Sequence, residues 1–228
     1  MIEIKKGREP RELTGYKNIK DRPLPTYEDL PHDVKTEVLR CLLEEQGYLC
    51  AYCMRRIDES DATIEHIKPQ NICSRMEKLD YHNMLAVCPG NGTATNDADK
   101  HCDKKRGSLR RELQPFLRLD VFKQGFSSLI QYSSHGTVFS SDDALNEDIN
   151  LRLNLNCKAA LLEKNRAAAL QAYYANVNKR LGGKAAPKGF FESEREKLIG
   201  QKRKLPYLGV ILFWLDKKIA QTSGGVRR

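Results

Sequence analysis

Thr63-Ile64-Glu65-His66-Ile67-Lys68-Pro69 lies between two pairs of cysteines, Cys50-Ala51-Tyr52-Cys53 before it and Cys88 and Cys102 after it, with Asn83 inside the second interval and a basic run behind Cys102. Structural zinc takes four soft ligands in a tetrahedron, and the two-residue gap between Cys50 and Cys53 lets one tight turn present both thiolates to one ion. Cys88 and Cys102 complete the set. The 13 residues between them, rich in Gly, Thr, Asn and Asp, read as an inserted loop, and closing a longer loop costs only logarithmically more. The competing reading, a redox pair at Cys50 and Cys53, lacks the strand-then-helix context that such a pair needs. Of the remaining cysteines, Cys41 and Cys157 sit in apolar helical settings and read as core thiols, while Cys73 has no visible partner.

Working outward, the 228 residues carry 39 Lys+Arg against 30 Asp+Glu, a formal charge of +9. Such a balance favours polyanionic partners. No stretch approaches the roughly 20 apolar residues that cross a bilayer, and the start, Met-Ile-Glu-Ile-Lys-Lys, lacks the apolar centre of a secretion signal. The expected location is cytoplasmic, with no membrane partner. Seven cysteines there, an odd number, make a poor disulfide framework and a good metal site.

Three regions follow. Residues 1–47 comprise a proline-punctuated extended arm to about residue 30 and a helix from His32 to Gln46, with Val34, Val38, Leu39, Leu42 and Leu43 at helical spacing and Gly47 as its stop. Residues 48–111 are short, turn-rich and polar, so that metal has to supply part of the stability. Residues 112–228 begin with a hairpin, Leu129–Tyr132 and Thr137–Phe139 around Ser-Ser-His-Gly, and continue as helices over Lys158–Leu181, Phe190–Lys204 and Leu208–Ile219. The last is apolar nearly throughout and reads as a core helix, with a partner surface as the alternative. The fold class is α+β.

Hydrolysis of a phosphodiester needs a base to activate water, a cation to stabilise developing charge, and basic contacts to hold the backbone in line. His66 is the candidate base. Glu65 and Asp103 are candidate ligands for a hard divalent ion, magnesium or manganese, and Asn83 is placed to orient His66 through its amide. Lys100, Lys104, Lys105, Arg106, Arg110 and Arg111 are candidate phosphate contacts. Taken alone, a Glu-His is seldom catalytic and a Lys-Lys-Arg is usually a solvated face; their order between the cysteine pairs is what links them. On a regular strand, Glu65 and His66 point to opposite faces, so a distortion is needed for both to converge.

Cys50-Ala51-Tyr52-Cys53, Ile64-Glu65-His66-Ile67-Lys68-Pro69, Leu79 to Cys88 and Cys102-Asp103-Lys104-Lys105-Arg106-Gly107 together resemble HNH endonucleases. More narrowly they are similar to the PtuB-type proteins of Septu and retron anti-phage systems, as is Leu153-Asn154-Leu155-Asn156 before a long helix. The motif blocks cover less than a third of the chain. This resemblance implies a ββα-metal core with a structural zinc site, a catalytic divalent ion, and nuclease activity on DNA or a structured RNA such as tRNA. It also implies an ABC-type ATPase partner of the PtuA kind, docked by the C-terminal helices, and in the retron setting a reverse transcriptase with its RNA–DNA product. Two residues depart from the pattern: Glu65 replaces the usual Asp, and Asp103 stands where His or Asn is usual. His101 is therefore the substitute candidate for the last ligand, with His82 a further imidazole nearby. Two other classes compete with the enzyme: a zinc-stabilised nucleic-acid-binding module without catalysis, and an adaptor for the ATPase.

Overall fold

In the computed structural model, which describes residues 1–20 and 23–223, the chain runs through α1 (Arg11–Lys17), α2 (His32–Gln46), β1 (Thr63–His66), α3 (Arg75–Lys78), β2 (Met84–Val87), α4 (Cys102–Gly107), β3 (Gln131–Tyr132), β4 (Val138–Phe139), α5 (Asp143–Glu147), α6 (Leu162–Leu181), α7 (Phe190–Gly200) and α8 (Leu208–Ser223). It is a mixture of helices with two small antiparallel sheets. Residues 224–228, which close the third sequence region, and residues 21 and 22 of the N-terminal arm lie outside the described residues.

The β1–β2 pair is the frame of the central region. Thr63 faces Val87, Ile64 faces Ala86, Glu65 faces Leu85 and His66 faces Met84. Two strands this short cannot hold themselves together in water, and α2 supplies what is missing. Val38, Leu42 and Leu43 are fully buried on its inner side. The buried amide of Gln46, on the last turn, donates to Ala86 O at 2.7 Å and accepts from Ala86 N at 2.8 Å. A side chain thus takes the place of a third strand along β2. Gly47 ends α2 in the left-handed region (φ 65°), and a Cβ there would lie 2.4 Å from Lys204 Cγ, so the stop is a position for glycine on two counts.

The N-terminal residues are not the extended arm their prolines suggest. Met1 and Ile4 are buried, Ile4 N donates to Val121 O at 2.8 Å, and Pro10 opens α1, whose Leu13 is fully buried beside α2. A seven-residue helix with one buried position leaves no period to detect. The hairpin is shorter than expected, since Phe126–Leu129 winds as a 3-10 turn and only Gln131–Tyr132 pairs with Val138–Phe139.

On α8, Leu208, Val210, Ile211 and Leu215 are buried, while Trp214 meets the ring edges of Tyr173, Tyr174 and Phe191 at 5.7–6.1 Å. This apolar stretch packs internally, and the partner-surface alternative loses those residues. Buried apolar side chains from all three sequence regions join one core, which includes Leu13, Leu42, Leu85, Ile149 and Leu215. Among the described residues, no helix is long and apolar enough to cross a membrane.

Candidate metal and carboxylate centre

The cysteine turn forms because Cys50 N donates to Arg55 O at 3.0 Å and Met54 N to Cys50 O at 3.0 Å, with Met54 in the left-handed region. Cys88 follows β2 directly, and Cys102 opens α4 with its N–H on Leu153 O at 2.8 Å. All four sulfurs lie within 4.8 Å of one another, with Cys50–Cys102 at 3.9 Å and Cys53–Cys88 at 3.7 Å. A tetrahedron of Zn–S bonds has edges of about 3.8 Å, so the set can hold a metal ion and its dimensions suit zinc. The electrostatics agree with that fit. Burial pushes the Cys53 and Cys102 thiols up, whereas Cys88 is drawn well down by S–H donation from Cys102, Cys50 and Cys53. Four sulfurs packed in a dry site cannot all ionise against one another; a dication is what lets them.

His101 belongs to this cluster. It is buried, with Nδ1 at 3.2 Å from Cys102 Sγ and 4.0 Å from Cys88 Sγ. His82 is exposed beside Asp80, 3.6 Å from its carboxylate. Neither is drawn to Glu65.

Asp103 is. The Glu65 carboxyl, 6 % exposed, is pushed well above its ordinary range, first by burial; Arg106 opposes the rise, and Asp103 adds to it both as a like charge and as a hydrogen-bonding partner. Glu65 Oε1 accepts from Arg106 Nη2 and lies 3.4 Å from the buried Tyr52 hydroxyl. Glu65 on β1 and Asp103 in the first turn of α4 thus influence each other's charge and are candidate oxygen donors for a hard cation.

His66 is turned inward. The residue is 1 % exposed, and its ring stands edge-on to Tyr27 with centroids 4.5 Å apart and has both nitrogens engaged. Nε2 lies 2.8 Å from Lys78 O, which can only accept, so the proton sits on Nε2. Nδ1 therefore accepts from Gln70 Nε2 at 3.0 Å. Asn83 does not touch the ring. Its Oδ1 accepts from Lys68 N at 2.8 Å, and its Nδ2 donates to Glu77 O at 3.2 Å. It pins the loop whose Gln70 and Lys78 hold the imidazole, and so reaches His66 at one remove.

The basic run divides. Arg110 and Arg111 are exposed, Lys105 is half-buried, Lys100 pairs with Asp97 at 2.7 Å, and Lys104 lies 3.5 Å from Asp103 Oδ2. Arg106 is not a surface phosphate contact. It is buried over the Phe116 ring, and besides Glu65 it donates to His66 O and to Ile67 O. Three residues on from Asp103, it falls on the same inward face of a short helix. Tyr27, Tyr52, Gln70 and Lys78 complete the surroundings; of these only Tyr52 lay within a motif block, and contacts made through a backbone carbonyl or a distant loop leave no signal in the sequence.

Burial lowers the His66 pKa below the ordinary 6.5. The unfolded chain then binds a proton that the folded chain resists, so this contribution to stability is full above 6.5 and drains away as pH falls below it. Urea midpoints recorded from about pH 8 to about pH 5 are expected to fall more steeply for the wild type than for His66→Gln, since the difference subtracts the carboxyls. Parallel curves would mean that the ring titrates as freely folded as unfolded.

No family model matches the chain. Over 93 residues it is 34% identical to the "Retron Vc95 putative HNH endonuclease" of Vibrio cholerae serotype O1 biovar El Tor. The match covers 39% of this chain and 45% of that protein, so the chain spans less than half the length of the relative, and the likeness is to an HNH endonuclease of retron type.

Proposed function

We propose that the chain is a metal-dependent HNH endonuclease of the PtuB type, in which β1, β2 and α4 make the ββα-metal core, and that it cleaves DNA or a structured RNA in anti-phage defence. The observation that carries this reading is that Glu65 of β1 is bound by Arg106 of α4 on elements gathered by the four-cysteine set, with Asp103 of α4 acting on the Glu65 carboxyl as a like charge. Similarity to the retron-associated protein adds to it. A magnesium or manganese ion held by Glu65 and Asp103 would supply stabilisation of the negative charge that builds on the phosphate and on the leaving oxygen.

The residues present divide the remaining work. Because Lys78 O fixes the proton on Nε2, Nδ1 is the atom of His66 that accepts a proton from water. The water oxygen bonds to phosphorus as the bond to the leaving sugar oxygen breaks. Gln70 occupies Nδ1 at 3.0 Å, but it is an exposed side chain on a 3-10 turn, and its withdrawal opens the base. Arg106 orients Glu65, and Lys104, Lys105, Arg110 and Arg111 track the phosphate backbone, with Lys100 held back on Asp97. The ATPase partner, and the retron reverse transcriptase with its RNA–DNA product, rest on the family resemblance. Docking is proposed for the C-terminal helices α6–α8, through faces other than the buried one of α8.

The occupied nitrogens of His66 favour one rival, a zinc module that binds nucleic acid without cutting it. Incubating the zinc-loaded protein, with and without an ABC-type ATPase of the PtuA kind, against plasmid DNA and total RNA separates the two. Cleavage is expected with magnesium or manganese and not without, and Asp103→Asn should slow it about a hundredfold, the size of effect that loss of a charge-stabilising group has. Binding with no cleavage in any ion would favour the module.

A further inference from the structure

A cleft of about 690 Å³ opens on the zinc side of the molecule, between the loop after Cys88, α4 and the start of α6. Its size is that of a small-ligand site. Arg55, Lys104 and His101 line it together with no carboxylate. The ion pairs of its two fixed cations are loose, at 3.9 Å for Arg55 with Asp61 and 3.5 Å for Lys104 with Asp103. Both charges therefore remain open to a better anion.

The loop that forms one wall is held in shape. His101 N donates to Gly90 O at 2.9 Å, Gly92 N to Pro89 O at 2.9 Å, and Asn91 Nδ2 to Asp99 O at 2.9 Å. Gly90 has φ 59°, and a Cβ there would lie 2.3 Å from His101 O, so only glycine lets the loop close over α4. The opposite wall is apolar and aromatic, from Ala160, Leu162 and Tyr207.

We propose that this cleft is a nucleotide subsite, taking a phosphate between Arg55 and Lys104 and a base against the Leu162–Tyr207 wall. Lys104 adjoins Asp103, so the nucleotide seated there is the single-stranded continuation of a strand whose phosphate lies at the Glu65–Asp103 centre. That continuity rests on the endonuclease reading; the cleft's cationic and aromatic lining does not. Stacking on an aromatic face with a phosphate on adjacent cations is how single strands are held without sequence preference.

The test is fluorescence anisotropy of the full, zinc-loaded chain with a labelled single-stranded oligonucleotide of about 12 nucleotides, a length in the range that single-strand-binding modules of other folds cover, and with AMP as competitor. Arg55→Gln changes a half-buried position and Thr93→Glu an exposed one at the cleft, and zinc content and melting temperature establish that each variant is folded. Each is expected to weaken the oligonucleotide about tenfold, and Arg55→Gln to lower the salt slope by about one. Binding of AMP alone, lost in both variants, would keep the subsite and identify its source as free nucleotide. Unchanged affinity for both probes in both variants overturns it. Affinity lost in variants of a protein that cuts nothing retains the cleft and rejects the nuclease; metal-dependent cutting with unchanged affinities does the reverse.

Discussion

Cys53→Ser is expected to release the metal and unfold the protein at ordinary temperature. The central sheet has two strands of four residues, and besides single backbone bonds such as Ala51 N to Ala86 O and His101 N to Gly90 O, the turn at Cys50, the end of β2 and the start of α4 are gathered by their four sulfurs. A structural zinc in a small module contributes about 10–16 kcal/mol of apparent binding free energy, as much as the roughly 5–15 kcal/mol that holds a whole domain folded. Removing one of four ligands leaves the other thiols buried against one another with less charge to balance them. Zinc content by mass spectrometry and far-UV circular dichroism on heating check this together. A Cys53→Ser protein that melts with the wild type while holding no zinc would make the cluster dispensable.

The second large effect is on cleavage. His66→Ala should lower the rate by about 10²–10⁴, the range that a positioned general base contributes. It also strips Lys78 O of its donor and empties the space against Tyr27, at a cost of about 1–3 kcal/mol for the orphaned carbonyl. The rate must therefore be measured on protein shown to be folded. His66→Gln, whose amide nitrogen reaches about as far as Nε2 and so keeps a side-chain N–H for Lys78 O, separates the two losses: a catalytic role predicts that stability recovers and activity does not. Gln70→Ala is the complementary variant, because it uncovers Nδ1 and is expected to cut at least as fast as the wild type. A drop as large as that of His66→Ala would make Gln70 part of the positioning of the base. Equal cutting by wild type and both His66 variants would remove the imidazole from the reaction.

The four cysteines were legible because soft-ligand chemistry is local: a turn of fixed length presents two sulfurs whatever surrounds it. Helices α2 and α6–α8 were legible because their apolar residues recur or run together, although α6 begins only at Leu162, after Leu161 adopts a left-handed conformation. Depth was not legible. A run reading Lys-Lys-Arg carries no mark that its third member faces inward, and the burial of Arg106 follows from Glu65 and two carbonyls on a strand about 40 residues earlier. The same holds for His66, whose partners Gln70 and Lys78 lie on a segment fixed by Asn83 and by contacts to distant residues such as Glu28, Pro25 and Gln114. The N-terminal segment was misjudged for a related reason: Met1, Ile4 and Leu13 are too sparse for a pattern, and they are buried because the core comes to them.

The amide of Gln46 on Ala86 reaches beyond local architecture. An open rim on a two-stranded ribbon is a template onto which another chain can zip, the first step of fibre-like self-association. Gln46 plugs that rim at Ala86, and the ammonium of Lys6 stands at Met84 O, 3.3 Å away. The molecule thereby protects the backbone beside His66 from recruitment by copies of itself, a safeguard suited to a two-stranded sheet that carries the candidate site residues Glu65 and His66.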